Sequence, residues 1–206
     1  KVLLEKAAKA DEKNFGKNHT TTATRYSNLA LVFKDLGDYE RAKVLLEKVI
    51  KITEKNFGKN HPFTAVSYSN LATTLKELGD YQEAKVLLEK AIKITEKNFG
   101  ANHPYMTIRY SNLAIILKDL RDYQGAKVLL EKATKATEKN FGTDHPSTAT
   151  RYSNLALVLK DLGNNEGAKA LLEKAYKVLK NQLGDDHPKT KTIKDNLDYV
   201  ISLKKK

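Results

Sequence analysis

Five histidines, His19, His61, His103, His145 and His187, fall 42 residues apart, and so do Asn28, Asn70, Asn112, Asn154 and Asn196. A spacing that never slips marks a stacked array, because one such unit cannot bury its apolar face without neighbours. The fullest copy runs from Tyr68 to Lys93, YSNLATTLKELGDYQEAKVLLEKAIK, followed by ITEKNFGANHP. The period divides the chain into full units over residues 20–61, 62–103, 104–145 and 146–187, flanked by half-units at 1–19 and 188–206. The opening KVLLEKAAKADEKNFG copies Lys43 to Gly58, so the chain is expected to begin inside a unit of a longer array. One solenoid domain over 1–206 is the expected organisation.

Each unit reads as two helices. In the second, Tyr68, Leu71, Ala72, Leu75 and Leu78 recur at helical spacing, predicting a first helix over about Thr64 to Leu78. His61-Pro62 supplies its start, since proline is tolerated where its missing N–H costs nothing. Gly79 ends it in the left-handed conformation, and Asp80 with Glu83 forms a capping box for the second helix. That helix is expected to turn Ala84, Leu87, Leu88, Ala91, Ile92 and Thr95 inward. Three departures stand out. Arg121 replaces the glycine of the other units, Gly125 and Gly167 weaken two second-helix starts, and Lys194 and Asp198 replace the tyrosine and alanine of the first helices. Polar residues at those stacking positions predict a terminal cap.

Here the residues resemble a known family. Tyr68-x2-Leu71-Ala72-x2-Leu75, then Gly79-Asp80-Tyr81, Ala84 and Leu88, is similar to the tetratricopeptide signature. The longer unit and its NLA and KNFGxNHP segments resemble the repeats of kinesin light chains and their bacterial relatives. The resemblance implies an all-α, right-handed superhelix, an α-solenoid of antiparallel helix pairs. It also implies a non-catalytic scaffold whose first helices line a concave groove for a partner's linear segment.

Composition narrows the classes of function. The net charge of +12 is spread, with no unit above +3 and the largest share, +4, in residues 188–206, which end in three lysines. Such a spread reads as a solvated face, and no nucleic-acid partner is expected. No apolar run is long enough for a membrane span. Without cysteine there is no disulfide framework, which suits a cytoplasmic protein. The histidines form a row, one per turn, and do not converge on a metal point. Every regular acidic residue has a copy next door, whereas catalysis needs one unique constellation; no enzyme activity and no cofactor are expected.

The candidate site is therefore a peptide groove. Asn28, Asn70, Asn112 and Asn154 each carry a donor and an acceptor able to clamp a peptide backbone, or else to position the stack. Ser69, Thr73 and Lys76 share their stripe in one unit, and Ser111, Ile115 and Lys118 in the next. Arg109 and Arg151, with their bidentate donors, are expected to anchor an acidic peptide if they face the groove. The alternative is self-association, end to end or through the groove, with Val2, Leu3 and Ala7 as an uncovered apolar face.

Overall fold

The computed structural model describes residues 2–101 and 103–203; the terminal lysines that carry much of the C-terminal charge lie outside the described residues. Ten α-helices and no strand are found among the described residues. They form two compact units, Lys1–Ala101 and Asn102–Lys206. In the first, α1 (Val2–Phe15), α2 (Thr20–Asp35), α3 (Tyr39–Phe57), α4 (Pro62–Leu78) and α5 (Tyr81–Phe99) pack each on the next. The second repeats the pattern with α6 (Pro104–Asp119), α7 (Tyr123–Phe141), α8 (Pro146–Asp161), α9 (Asn165–Leu183) and α10 (Pro188–Ser202).

Small residues decide how closely the pairs approach. Ala72 of α4 and Ala84 of α5 are fully buried, as are Ala30 with Ala42, Ala114 with Ala126 and Ala156 with Ala168. Tyr68, Leu71, Leu75 and Leu88 fill the space around them. An alanine at each crossing point permits interaxial distances of about 8–10 Å. Ile94, and not Ile92, joins the buried face of α5, while Ile92 stays half-buried. In α10, Thr190, Ile193 and Val200 are buried and Lys194 and Asp198 are exposed, so the polar substitutions face away from the packed side.

Every first helix begins on a histidine. The Nδ1 of His61 accepts from the Phe63 N–H at 3.2 Å, and His19, His103, His145 and His187 do the same for the residue two further on. The cap shifts the start of α4 to Pro62, two residues before the sequence expectation. Each cap satisfies one N–H that the helix itself leaves open, typically worth about 1 kcal/mol. The rings also stack on the preceding phenylalanine, Phe57 to His61 at 4.8 Å and Phe141 to His145 at 4.9 Å. Thr64 and Thr148 hydroxyls close the turns by donating to the Gly58 and Gly142 carbonyls at 2.8 and 2.6 Å.

The capping box at Asp80 does not form. Asp80 makes no side-chain cap bond, and its carboxylate instead meets Lys43 Nζ at 3.4 Å. Asp38, Asp122 and Asn164, at the same place in other units, do accept from the backbone N–H three residues on. The third residue after Asp80 is Glu83, a like charge, where the copies that do cap have Arg41, Gly125 and Gly167. The glycines at 125 and 167 have a counterpart gain: their N–H groups meet Asp122 and Asn164 at 2.9 Å, and a Cβ at Gly125 would stand 2.5 Å from the Asp122 carboxylate.

Two further ties join neighbouring turns and helices. Asn56 and Asn98 amides donate to the Asn18 and Asn60 carbonyls at 2.9 and 3.2 Å, linking one turn to the turn before it. Tyr26, Tyr68 and Tyr152 hydroxyls donate to Glu12, Glu54 and Glu138, each at 2.6 Å.

Candidate functional site

In the first unit the first helices α2 and α4, with α3 behind them, enclose an open cleft of about 580 Å³. Asn28, Ser67, Asn70 and Thr53 supply its polar surface, and Leu31, Val66, Phe57 and Phe63 its apolar walls. Helical spacing explains the grouping. Val66 and Asn70 stand one turn apart on α4, as do Thr24, Asn28 and Leu31 on α2. Leu31, Val66 and Phe63 are all substantially exposed, an apolar rim that no other side chain of this unit covers.

The four asparagines make no side-chain hydrogen bond among the described residues. Asn28 is exposed, and Asn70, Asn112 and Asn154 are half-buried. On α4 the hydroxyls of Ser69 and Thr73 turn back to the carbonyls of Ala65 and Asn70, so they are occupied within the helix. Thr73 also accepts from Lys34 Nζ of α2 at 2.8 Å, and burial lowers the lysine's pKa from its ordinary value. Lys76 pairs with Glu77 at 2.8 Å and Lys160 with Asp161 at 2.9 Å, so the acidic residue following each lysine neutralises it locally. Lys118 is half-buried.

The arginines are placed differently from the groove anchors expected of them. Arg109 is only 5% exposed, donates from Nη1 to the Tyr105 carbonyl at 3.3 Å and lies over the Tyr105 ring. It is core-packed, because a guanidinium stacks flat on an aromatic face and hides its stem. Arg151, half-buried on α8, donates to Ser111 Oγ of α6 at 2.9 Å, which buries Ser111 as well. Burial lowers the pKa of both guanidinium groups. In the first unit Arg25 instead pairs with Asp11 of α1 at 2.9 Å. Thr137 holds the place of Asp11 three units on, 14 residues before Arg151 as Asp11 is before Arg25, so Arg151 has lost the carboxylate that its copy keeps. The Nε atoms of Arg109 and Arg151 are buried with no hydrogen-bond partner.

Ile115 projects from α6 with 39% of its surface exposed. The aromatic lip of Phe57 and Phe63 escapes a reading based on the first-helix stripe, since one residue ends α3 and the other opens α4. Its signal is Phe63 itself, a large apolar residue where the preceding unit has Thr21 and the following one the aromatic Tyr105. Among the described residues no three His, Cys, Asp or Glu side chains come together as a metal site, and no helix is long and apolar enough to cross a membrane.

Antiparallel helix pairs of fixed length, stacked with a groove of first-helix side chains, define a helical-repeat protein. The model of the tetratricopeptide repeat matches in overlapping segments over residues 2–55, 26–97, 64–139 and 105–181, and the chain belongs to the tetratricopeptide repeat family. Among solved structures it is similar to a kinesin-light-chain protein with nearly identical TPR-like repeats from Podosopora anserina. The two are 27% identical, with a TM-score of 0.79, over 89% of this chain and 87% of that one. It also shares the fold of BtubC (BKLC) from P. vanneervenii at 22% identity and a TM-score of 0.79, over 97% of this chain and 79% of that one. Comparison with curated proteins gives no match. Tetratricopeptide repeats are protein-interaction modules, and this fold class is all-α.

Proposed function

We propose that this protein is a non-catalytic scaffold that holds an extended segment of a partner protein along its first helices. The observation that carries the reading is the four asparagine side chains with no hydrogen-bond partner among the described residues. An amide that only positioned the stack would be bonded to the neighbouring helix, whereas a free one offers a donor and an acceptor to a peptide backbone. The apolar rim of Leu31, Val66 and Phe63 then takes alternate side chains of the segment. The units 20–61 to 146–187, with the flanking halves, act in this reading as one repeat domain, and the partner is reached in the cytoplasm.

The test is a peptide-display selection on this chain with the Asn28→Ala/Asn70→Ala variant as counter-target. Peptides enriched on the parent and lost on a folded variant support the groove. No enrichment, with helicity intact by circular dichroism, removes it. Exposure of Val2 and Leu3 on α1, 61% and 82%, favours a second reading, end-to-end self-association. A single monomeric mass by light scattering across rising concentration would eliminate that reading.

A further inference from the structure

A separate surface lies on the second helices and does not depend on the groove. In α3, Lys48, Lys51 and Lys55 recur at i, i+3 and i+7, which places them on one helical face, and all three are exposed. The rise of the helix separates them by about 5 and 6 Å along its axis. Lysines recur at the copies of these positions in α1, α5, α7 and α9, broken only by Asn181, and every one of them is exposed.

These lysines differ from most of the others on the same helices, Lys85 excepted. None of them forms an ion pair among the described residues, whereas Lys43, Lys127, Lys169 and Lys180 each meet a carboxylate within 4 Å. Two of the acidic residues beside them are turned inward, where Glu12 and Glu54 accept from Tyr26 and Tyr68, while Glu47 stays exposed one turn before Lys51. Lys48 and Lys90 lie over the same two tyrosine rings, 5.6 and 6.0 Å from their centroids. Two clefts lie at this place, about 290 Å³ beside Lys48, Lys51 and Tyr26 and about 510 Å³ beside Lys174, Lys177 and Tyr152. The net charge of +12 thus has an unpaired, regular component that the per-unit tally conceals.

A face of this kind takes carboxylates better than nucleic acid. It holds no arginine to grip phosphates or base edges bidentately. The tyrosine rings are 4% and 5% exposed beneath the lysines, so no base can stack on them. Ammonium groups at this spacing suit an extended chain with carboxylates on alternate residues, about 7 Å apart. We propose that the lysine face of the second helices binds an extended, Asp- and Glu-rich segment of a partner protein.

Fluorescence anisotropy with labelled poly-L-glutamate at low salt tests this, beside single-stranded DNA of equal charge and phosphatidylserine vesicles. Changing Lys48, Lys51, Lys90 and Lys93 together to Gln is expected to weaken poly-glutamate binding roughly tenfold, the sum of several exposed ion pairs. Gln keeps helix propensity close to that of Lys, so the fold persists, and the matching Lys→Arg set retains binding. The control changes Lys43, Lys127, Lys169 and Lys180 to Gln, removing the same net charge from paired positions, and leaves affinity within twofold. Equal losses in the two sets would reduce the effect to net charge and overturn the proposal. So would absence of binding to poly-glutamate, or tighter binding of DNA or vesicles than of poly-glutamate. The Asn28→Ala/Asn70→Ala variant binds poly-glutamate unchanged, which separates this face from the groove.

Discussion

Arg121 is the one non-glycine residue among the described residues with a positive φ, +62°. Gly37, Gly79 and Gly163 hold the same place in the other units at +74°, +86° and +79°. The conformation is imposed by the helix end: Arg121 N–H donates to the Lys118 carbonyl at 2.9 Å and Asp122 N–H reaches back to Leu117 at 2.8 Å. Those two bonds hold the residue left-handed whatever its side chain. The strain for a residue with a Cβ is about 1–2 kcal/mol, and Arg121→Gly releases it. Glycine's extra freedom in the unfolded chain offsets about 0.5–1 kcal/mol, leaving a net gain of about 0.5–1 kcal/mol. For a unit of this size that raises Tm by a few degrees. The mirror substitution Gly79→Arg places the same strain in the first unit and should lower it by a similar amount. Calorimetry with amide exchange on α6 and α7 reads both. If Arg121→Gly leaves Tm unchanged or lowers it while Gly79→Arg destabilises, the left-handed strain at 121 is relieved by something other than glycine, and the argument fails.

Two further tests probe the packing. Leu88 has no exposed surface, so Leu88→Ala leaves a void costing about 2–5 kcal/mol, and a urea melt matching the parent would contradict its burial. Burial, then the bond to and charge of Glu12, Glu54 and Glu138, push the phenol pKa values of Tyr26, Tyr68 and Tyr152 up to about 12. The native state therefore keeps these protons longer than the unfolded chain does. Stability is full below about pH 10 and falls as pH rises from there to about 12. Tyr68→Phe should flatten that decline in melts recorded across the alkaline range; identical slopes for parent and variant would refute the assignment.

The helix pairs and the buried alanines of their facing sides were legible in the sequence because each repeats with the period. What the period could not convey was competition between neighbours. Asp80 is followed by a tyrosine just as Asp38 and Asp122 are, yet its carboxylate meets Lys43 of α3 instead of capping α5. The fate of Arg109 and Arg151 likewise turns on a residue outside their own helices: Asp11 partners Arg25, and Thr137 in its place leaves Arg151 to find Ser111. Groove residues are legible as a stripe, but Phe57 belongs to a different helix and enters the cleft only through the fold. The lysine face was hidden for the opposite reason. Counting charge by unit adds paired and unpaired lysines together, and only coordinates separate them.

The tyrosine–glutamate and asparagine–carbonyl ties span 14 and 38 residues and never further. Each added unit therefore closes loops of the same length as the last, and lengthening the chain does not lengthen the search that folding must complete. Growth by copying one unit leaves the folding problem of every other unit as it was. A damaging substitution is contained in the same way, since it loosens one unit and the ties to its immediate neighbours while the remainder keeps its own closures. A lineage can thus alter the number of units and test new groove residues in one of them without risking the rest.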